Sequence, residues 1–166
     1  DTPMLIASIT KIMTCIIALE NGDLEEIVTV DDSVLKSYGS GIYISVGEQI
    51  KLIDLLYGLM LRSGNDAAIM ISTHISGSEE KFAELMNKKA KEIGMKNTIF
   101  SNPHGLDEKN ENYSTAYDMA LLMRNANSLS MFKKITGCKK HTVKTEEKTY
   151  VWSNKNKRYI KNLKSL

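Results

Sequence analysis

Two cysteines, three histidines and no long apolar run are the shortages of this 166-residue chain, and each removes a class of function. Cys15 and Cys138 are too few for a disulfide framework, and Cys15 falls inside an apolar stretch, where a thiol acts as a small core residue. His74, His104 and His141 lie far apart without metal-ligand spacing, so neither a metal site nor another cofactor is expected. The longest apolar run, Ile12 to Leu19, is interrupted by Thr14 and falls well short of the roughly 20 residues of a membrane span. Charge of one sign is also scarce. A net charge of +2 does not make a nucleic-acid surface, and the lysine-rich stretch Lys155 to Lys164 reads as a solvated face or strand edge. The chain opens at Asp1-Thr2-Pro3 without an initiator Met or a signal-peptide pattern, as a processed or trimmed product would, so targeting signals say nothing of compartment.

What is present suits one globular domain: 42% hydrophobic and 25% charged residues, with enough length to bury a core. Ser8 to Glu20 is expected as a buried helix stopped by Asn21-Gly22. Ile27 to Val30 alternates as a strand, Asp31-Asp32 forms a turn or cap, and Ser37 to Gly47 is a loop with a short extended piece. Two apolar helices follow, Ile53 to Leu61 and Asp66 to Ile75, separated by the polar break Arg62-Ser63-Gly64-Asn65. Burying such a break is costly unless its polar groups are used. Ser78 is an N-cap for an amphipathic helix presenting Phe82, Leu85, Met86, Lys89, Ala90 and Ile93, with Gly94 as its stop. Thr98 to Phe100 is extended, Ser101 to Asn112 is a tight polar loop, and Thr115 to Asn127 is a helix with Thr115 and Asp118 spaced as a capping box. Lys140 to Val143 and Thr149 to Ser153 read as a hairpin, and the methionines as core filler. Two short strands do not make a self-sufficient sheet, so strands are expected outside this chain.

Ala7-Ser8-Ile9-Thr10-Lys11 places a hydroxyl and an amine three residues apart, on one helix face. Such a pair serves as a nucleophile with its own base. Read alone, Ser8 is more simply a helix cap beside a surface lysine. The spacing recurs at Ser78/Lys81 and Ser130/Lys133, where it is incidental. Ser63-Gly64-Asn65 is the one Ser-x-Asn of the chain. Its hydroxyl and amide suit orienting an amine base and gripping a substrate amide, although Asn65 could also merely cap the next helix.

Together the two motifs form two of the three elements of penicillin-recognising Ser-Lys acyltransferases. Ala7 to Thr14 and Leu61 to Ala68 closely resemble the corresponding segments of the D-alanyl-D-alanine carboxypeptidases. So do Ile75 to Thr98, Asn102-Pro103-His104-Gly105-Leu106 and Tyr113 to Ala120. The resemblance covers Ile6 to about Met131; Ile9 departs mildly from the usual Ser or Thr. It implies an α/β (α+β) fold of the β-lactamase/transpeptidase kind, represented by its helical portion with an incomplete antiparallel sheet. Residues 1–166 would then be part of one catalytic domain lacking the Lys-Thr-Gly strand, because Lys144-Thr145-Glu146 and Lys148-Thr149-Tyr150 both fail at the glycine.

The resemblance further implies catalysis by Ser8, Lys11, Ser63 and Asn65, with Ser63 and Asn65 also binding substrate. The substrate would be a peptidoglycan stem peptide ending in D-Ala-D-Ala, and β-lactams would be covalent inhibitors. The place of work would be extracytoplasmic, secreted or attached to the outer face of the cytoplasmic membrane, with an anchor outside this chain as an option. Lys11 would need its pKa lowered by burial and by the lysine of the third motif. Without that strand one oxyanion donor is lost, on the order of 2.7–4 kcal/mol, so the fragment alone is expected to be weak or inactive. His104 is either a turn-stabilising or a catalytic residue, and Tyr38 and Ser40 would edge the cleft. Two alternatives stay open: a β-lactamase on the same fold, although no Glu-x-x-x-Asn loop is evident, and a non-catalytic wall-binding relative.

Overall fold

The computed structural model describes residues 2–106 and 111–156. The part of the polar loop at 107–110 and of the lysine-rich stretch at 157–164 lies outside the described residues. In chain order the elements are β1 (Met4–Leu5), a 3-10 turn (Ala7–Thr10), α1 (Lys11–Asn21), β2 (Ile27–Thr29), a second 3-10 turn (Asp32–Lys36), β3 (Gln49–Lys51), α2 (Leu52–Arg62), α3 (Asn65–Ser76), α4 (Glu79–Glu92), β4 (Tyr113–Ser114), α5 (Ala116–Ser128), α6 (Ser130–Thr136), β5 (Lys140–Lys144) and β6 (Thr149–Ser153).

Helix α1 is the axle. Its Met13, Cys15, Ile16, Ile17 and Ala18 are buried, and α2 to α6 all pack around it. The strands form three antiparallel pairs: β1 with β4, β2 with β3, and β5 with β6. The last pair matches Val143 with Tyr150 and lays its buried face, with Trp152, against α2. Met13, Met70 and Met86 are buried, while Met60, Met119 and Met123 pack at the edge of the core.

Several expectations change. The helix expected from Ser8 begins instead as a 3-10 turn, because Ala7 takes a left-handed φ of 43° and forces a tight entry to α1. The short strands β1, β3 and β4 and the seven-residue α6 carry too few residues for a periodic signal. Ser78 and Thr115 do cap α4 and α5, accepting from Lys81 N and Asp118 N. The Asp118 carboxylate accepts from Asn97 N and Thr98 Oγ1, both at 2.7 Å, and so ties down the segment before the Ile99–Tyr113 bridge.

The failed third-motif look-alikes have structural work. Thr145 Oγ1 donates to Glu48 at 2.7 Å, and Lys148 Nζ donates to Tyr43 O at 2.7 Å. Glu48, almost fully buried, also accepts from Tyr150 Oη at 2.6 Å and Ser45 N at 3.0 Å. Burial alone would raise its pKa, but these hydrogen bonds and Lys148 outweigh it and hold the carboxyl below its usual value. Tyr150→Phe should therefore cost about 1.5–3 kcal/mol at neutral pH in urea denaturation, the worth of a hydrogen bond to a charged group. A depressed pKa stabilises the fold above the unfolded carboxyl's pKa, so the loss should shrink as pH falls through the folded value.

Candidate active site

A 3-10 turn stacks residues i and i+3 directly, which an α-helix does only obliquely. The turn Ala7–Thr10 thus sets Ser8 under Lys11, and Lys11 Nζ lies 3.2 Å from Ser8 Oγ. Ser8 is exposed, whereas Lys11 is 2% exposed. The second contact of the amine is shorter: Nζ donates to the carbonyl of His104 at 2.7 Å. Burial first, and then the charge of Lys155, lower the Lys11 pKa from its ordinary value to about 8. Lys155 is brought near by its own N–H, which donates to Leu61 O at the end of α2. Sequence reasoning assigned the second cation to the third motif and missed Lys155, which carried no signal beyond belonging to a lysine-rich stretch.

The loop of residues 101–106 is held against this turn by buried amides. Asn112 Nδ2 donates to Thr10 Oγ1 at 2.9 Å and to Asn102 O at 3.0 Å. Asn102 Oδ1 in turn accepts from Gly105 N at 2.7 Å, and Thr14 Oγ1 donates to Pro103 O at 2.6 Å. Gly105 has φ of 84°, and a Cβ there would be driven into the Ala7 carbonyl and within 3.0 Å of Ser8 N. The glycine is the contact surface on which the Ser8 backbone rests. His104 reaches Lys11 by its carbonyl, not its ring. The ring accepts from Leu106 N at Nδ1 (3.0 Å) and meets Glu79 Oε2 at Nε2 (3.0 Å), which assigns the Nε2–H tautomer and leaves no ring nitrogen for substrate. The turn-stabilising role is therefore the one the geometry supports.

The second motif occupies the break between α2 and α3. Ser63 ends α2 in the left-handed region with φ of 57°, and its N–H and that of Gly64 both donate to Gly58 O. A non-glycine residue held there stores strain of about 1–2 kcal/mol. Asn65 opens α3, 3% exposed, with Nδ2 donating to Tyr38 O at 2.7 Å and its N–H to Ser40 O at 2.8 Å. Tyr38 and Ser40 thus meet Asn65 through backbone carbonyls. Asn65 Oδ1 is buried without a hydrogen-bond partner among the described residues. Leu106 reaches within 4.0 Å of the Cβ position of Gly39, itself 3.2 Å from Asn65 Nδ2, so the loop that binds Lys11 adjoins the loop that binds Asn65. Among the described residues no hydrogen bond joins Ser8 or Lys11 to Ser63 or Asn65.

A family model described as D-alanyl-D-alanine carboxypeptidase matches residues 1–165. The chain belongs to that family. The carboxypeptidase DacF of Bacillus subtilis is 38% identical over 160 residues, covering 93% of this chain and 41% of the relative. The fold agrees with solved members of the family. The D-alanyl-D-alanine carboxypeptidase of Mycobacterium tuberculosis superposes with a TM-score of 0.89 at 27% identity, over 94% of this chain and 59% of that one. A variant of the Streptomyces K15 DD-transpeptidase gives 0.88 at 30% identity, over 96% and 68%. The chain thus spans about two fifths of the length of the Bacillus relative. The penicillin-binding protein/transpeptidase architecture expected from the motifs is the one observed.

Proposed function

We propose that this chain supplies the nucleophile-bearing part of a serine DD-carboxypeptidase that removes the terminal D-alanine from peptidoglycan stem peptides outside the cytoplasmic membrane. One observation carries the reading: an exposed hydroxyl lies 3.2 Å from a buried amine whose pKa has fallen to about 8. Neutral Lys11 takes the Ser8 proton as Oγ attacks the carbonyl carbon of the penultimate D-alanine. The Ser8 N–H, near the positive start of α1, faces the developing oxyanion, and the second donor comes from sequence outside these residues. Collapse of the tetrahedral intermediate breaks the C–N bond, and Lys11 returns the proton to the departing D-alanine amine. Water then cleaves the ester with Lys11, Ser63 and Asn65 ordering the transfers. A β-lactam acylates Ser8 by the same attack, but its ring-opened leaving group stays tethered.

The test uses the full-length protein and intact-mass spectrometry with benzylpenicillin. One adduct is expected, absent from Ser8→Ala; no adduct in the wild type, or one that persists in the variant, overturns the assignment. The rate of acylation should also follow the neutral fraction of Lys11. It should rise tenfold per pH unit up to about pH 8 and then level, so that pH 6 lies about 100-fold below the plateau. A flat profile between pH 6 and 8 would remove Lys11 as the base.

A further inference from the structure

Asp66 follows Asn65 and is buried in the first turn of α3. Among the described residues no cation pairs with it within salt-bridge distance. Its oxygens instead accept from the backbone: Ile42 N at 3.0 Å, Tyr43 N at 2.7 Å, Ile44 N at 3.4 Å, and Ala67 N at 2.9 Å. A carboxylate taken out of water needs such donors. Three successive N–H groups can converge on one anion only where the chain turns back on itself, and Tyr43 makes that turn with φ of 62°. The loop 42–44 is therefore wrapped on the Asp66 side chain.

The same loop, a few residues upstream, grips Asn65. The Tyr38 carbonyl takes Asn65 Nδ2, which decides which way the amide is flipped, and the Ser40 carbonyl takes the Asn65 N–H. Oδ1 is then the buried acceptor left unused. We propose that Asp66 is a positioning residue: by gathering the amides of Ile42 to Ile44 it holds the loop whose carbonyls orient Asn65 and fix which way its side-chain amide is flipped. For its catalytic consequence the inference rests on the carboxypeptidase reading. The structural part stands without it.

Two readouts on the full-length protein separate these levels. In Asp66→Asn, the Asn65 side-chain amide hydrogens, followed by 15N NMR, should exchange with water at least about tenfold faster than in the wild type. Acylation of Ser8 by benzylpenicillin should slow by about 100-fold, with its pH midpoint unchanged. In an Asn65→Ala background the same substitution should cost nothing further, whereas a general weakening of the fold would cost the same factor in both backgrounds. Should Asp66→Asn fail to fold, Gly39→Ala disturbs the loop from the other side. Its residue 39 has φ of 76°, and the new Cβ would lie 3.2 Å from Asn65 Nδ2. Unchanged amide exchange in both variants, or equal losses of acylation in both backgrounds, overturns the proposal. A wild type that takes no adduct while Asp66→Asn still loses amide protection would instead overturn the carboxypeptidase reading alone.

Discussion

Gly105→Ala is expected to cost at least about 3 kcal/mol of stability and to slow acylation of Ser8 by about 100-fold or more. Both penalties come from one added methyl group. Alanine at φ of 84° is strained, and its Cβ would occupy the space of the Ala7 carbonyl and crowd Ser8 N. The chain can relieve the overlap only by moving the 102–106 loop or the Ala7–Thr10 turn. Either movement separates the His104 carbonyl from Lys11 or Ser8 Oγ from the amine. Urea denaturation measures the first loss and intact-mass kinetics the second. A variant with wild-type acylation would mean that the glycine contact does not set the nucleophile.

How much of this was readable beforehand differs between the halves of the site. Ser8 and Lys11 were one of several Ser-x-x-Lys spacings and stood out only by their resemblance to a family segment, while Ser63 and Asn65 were marked by a polar interruption between two apolar helices. The long periodic helices α2 to α5 were legible within a residue or two, since a repeated apolar stripe dominates local preference. The entry to α1 was not. A left-handed Ala7 has no signal in the local sequence, and its carbonyl packs against Gly105, about a hundred residues downstream. Lys155 escaped for a related reason, because its neighbourhood to Lys11 is made by the β5–β6 hairpin folding onto α2. His104 was ambiguous in sequence because a ring and a carbonyl share one residue number. Only geometry shows that the carbonyl meets the amine.

Lys11→Met should reduce acylation by about 100- to 10,000-fold, the range of a lost general base, while keeping most of the buried aliphatic stem. Its stability should also show a distinctive pH dependence. The folded pKa of about 8 lies below the ordinary lysine value of 10.5, so between these two values the unfolded chain binds more protons than the folded one. The Lys11 contribution to stability therefore rises with pH across that window and is flat on either side. Relative to Lys11→Met, the wild type should gain on the order of 3 kcal/mol between pH 7.5 and pH 11, read as a change in the difference between their urea midpoints. A constant difference would mean that the amine is not held neutral by burial.

The bond from Lys11 to His104 closes 93 residues of chain, and that from Asn112 to Thr10 closes 102. Contacts so distant along the backbone form late, because chain entropy must be lost before they can reward it. A ribosome releasing the amino terminus first would expose Ser8 long before its partners exist. The turn that carries Ser8 would lack the loop packed against it until Asn112 had emerged and docked. The surroundings of Ser8 are thus set by contacts of high sequence separation rather than by its own segment.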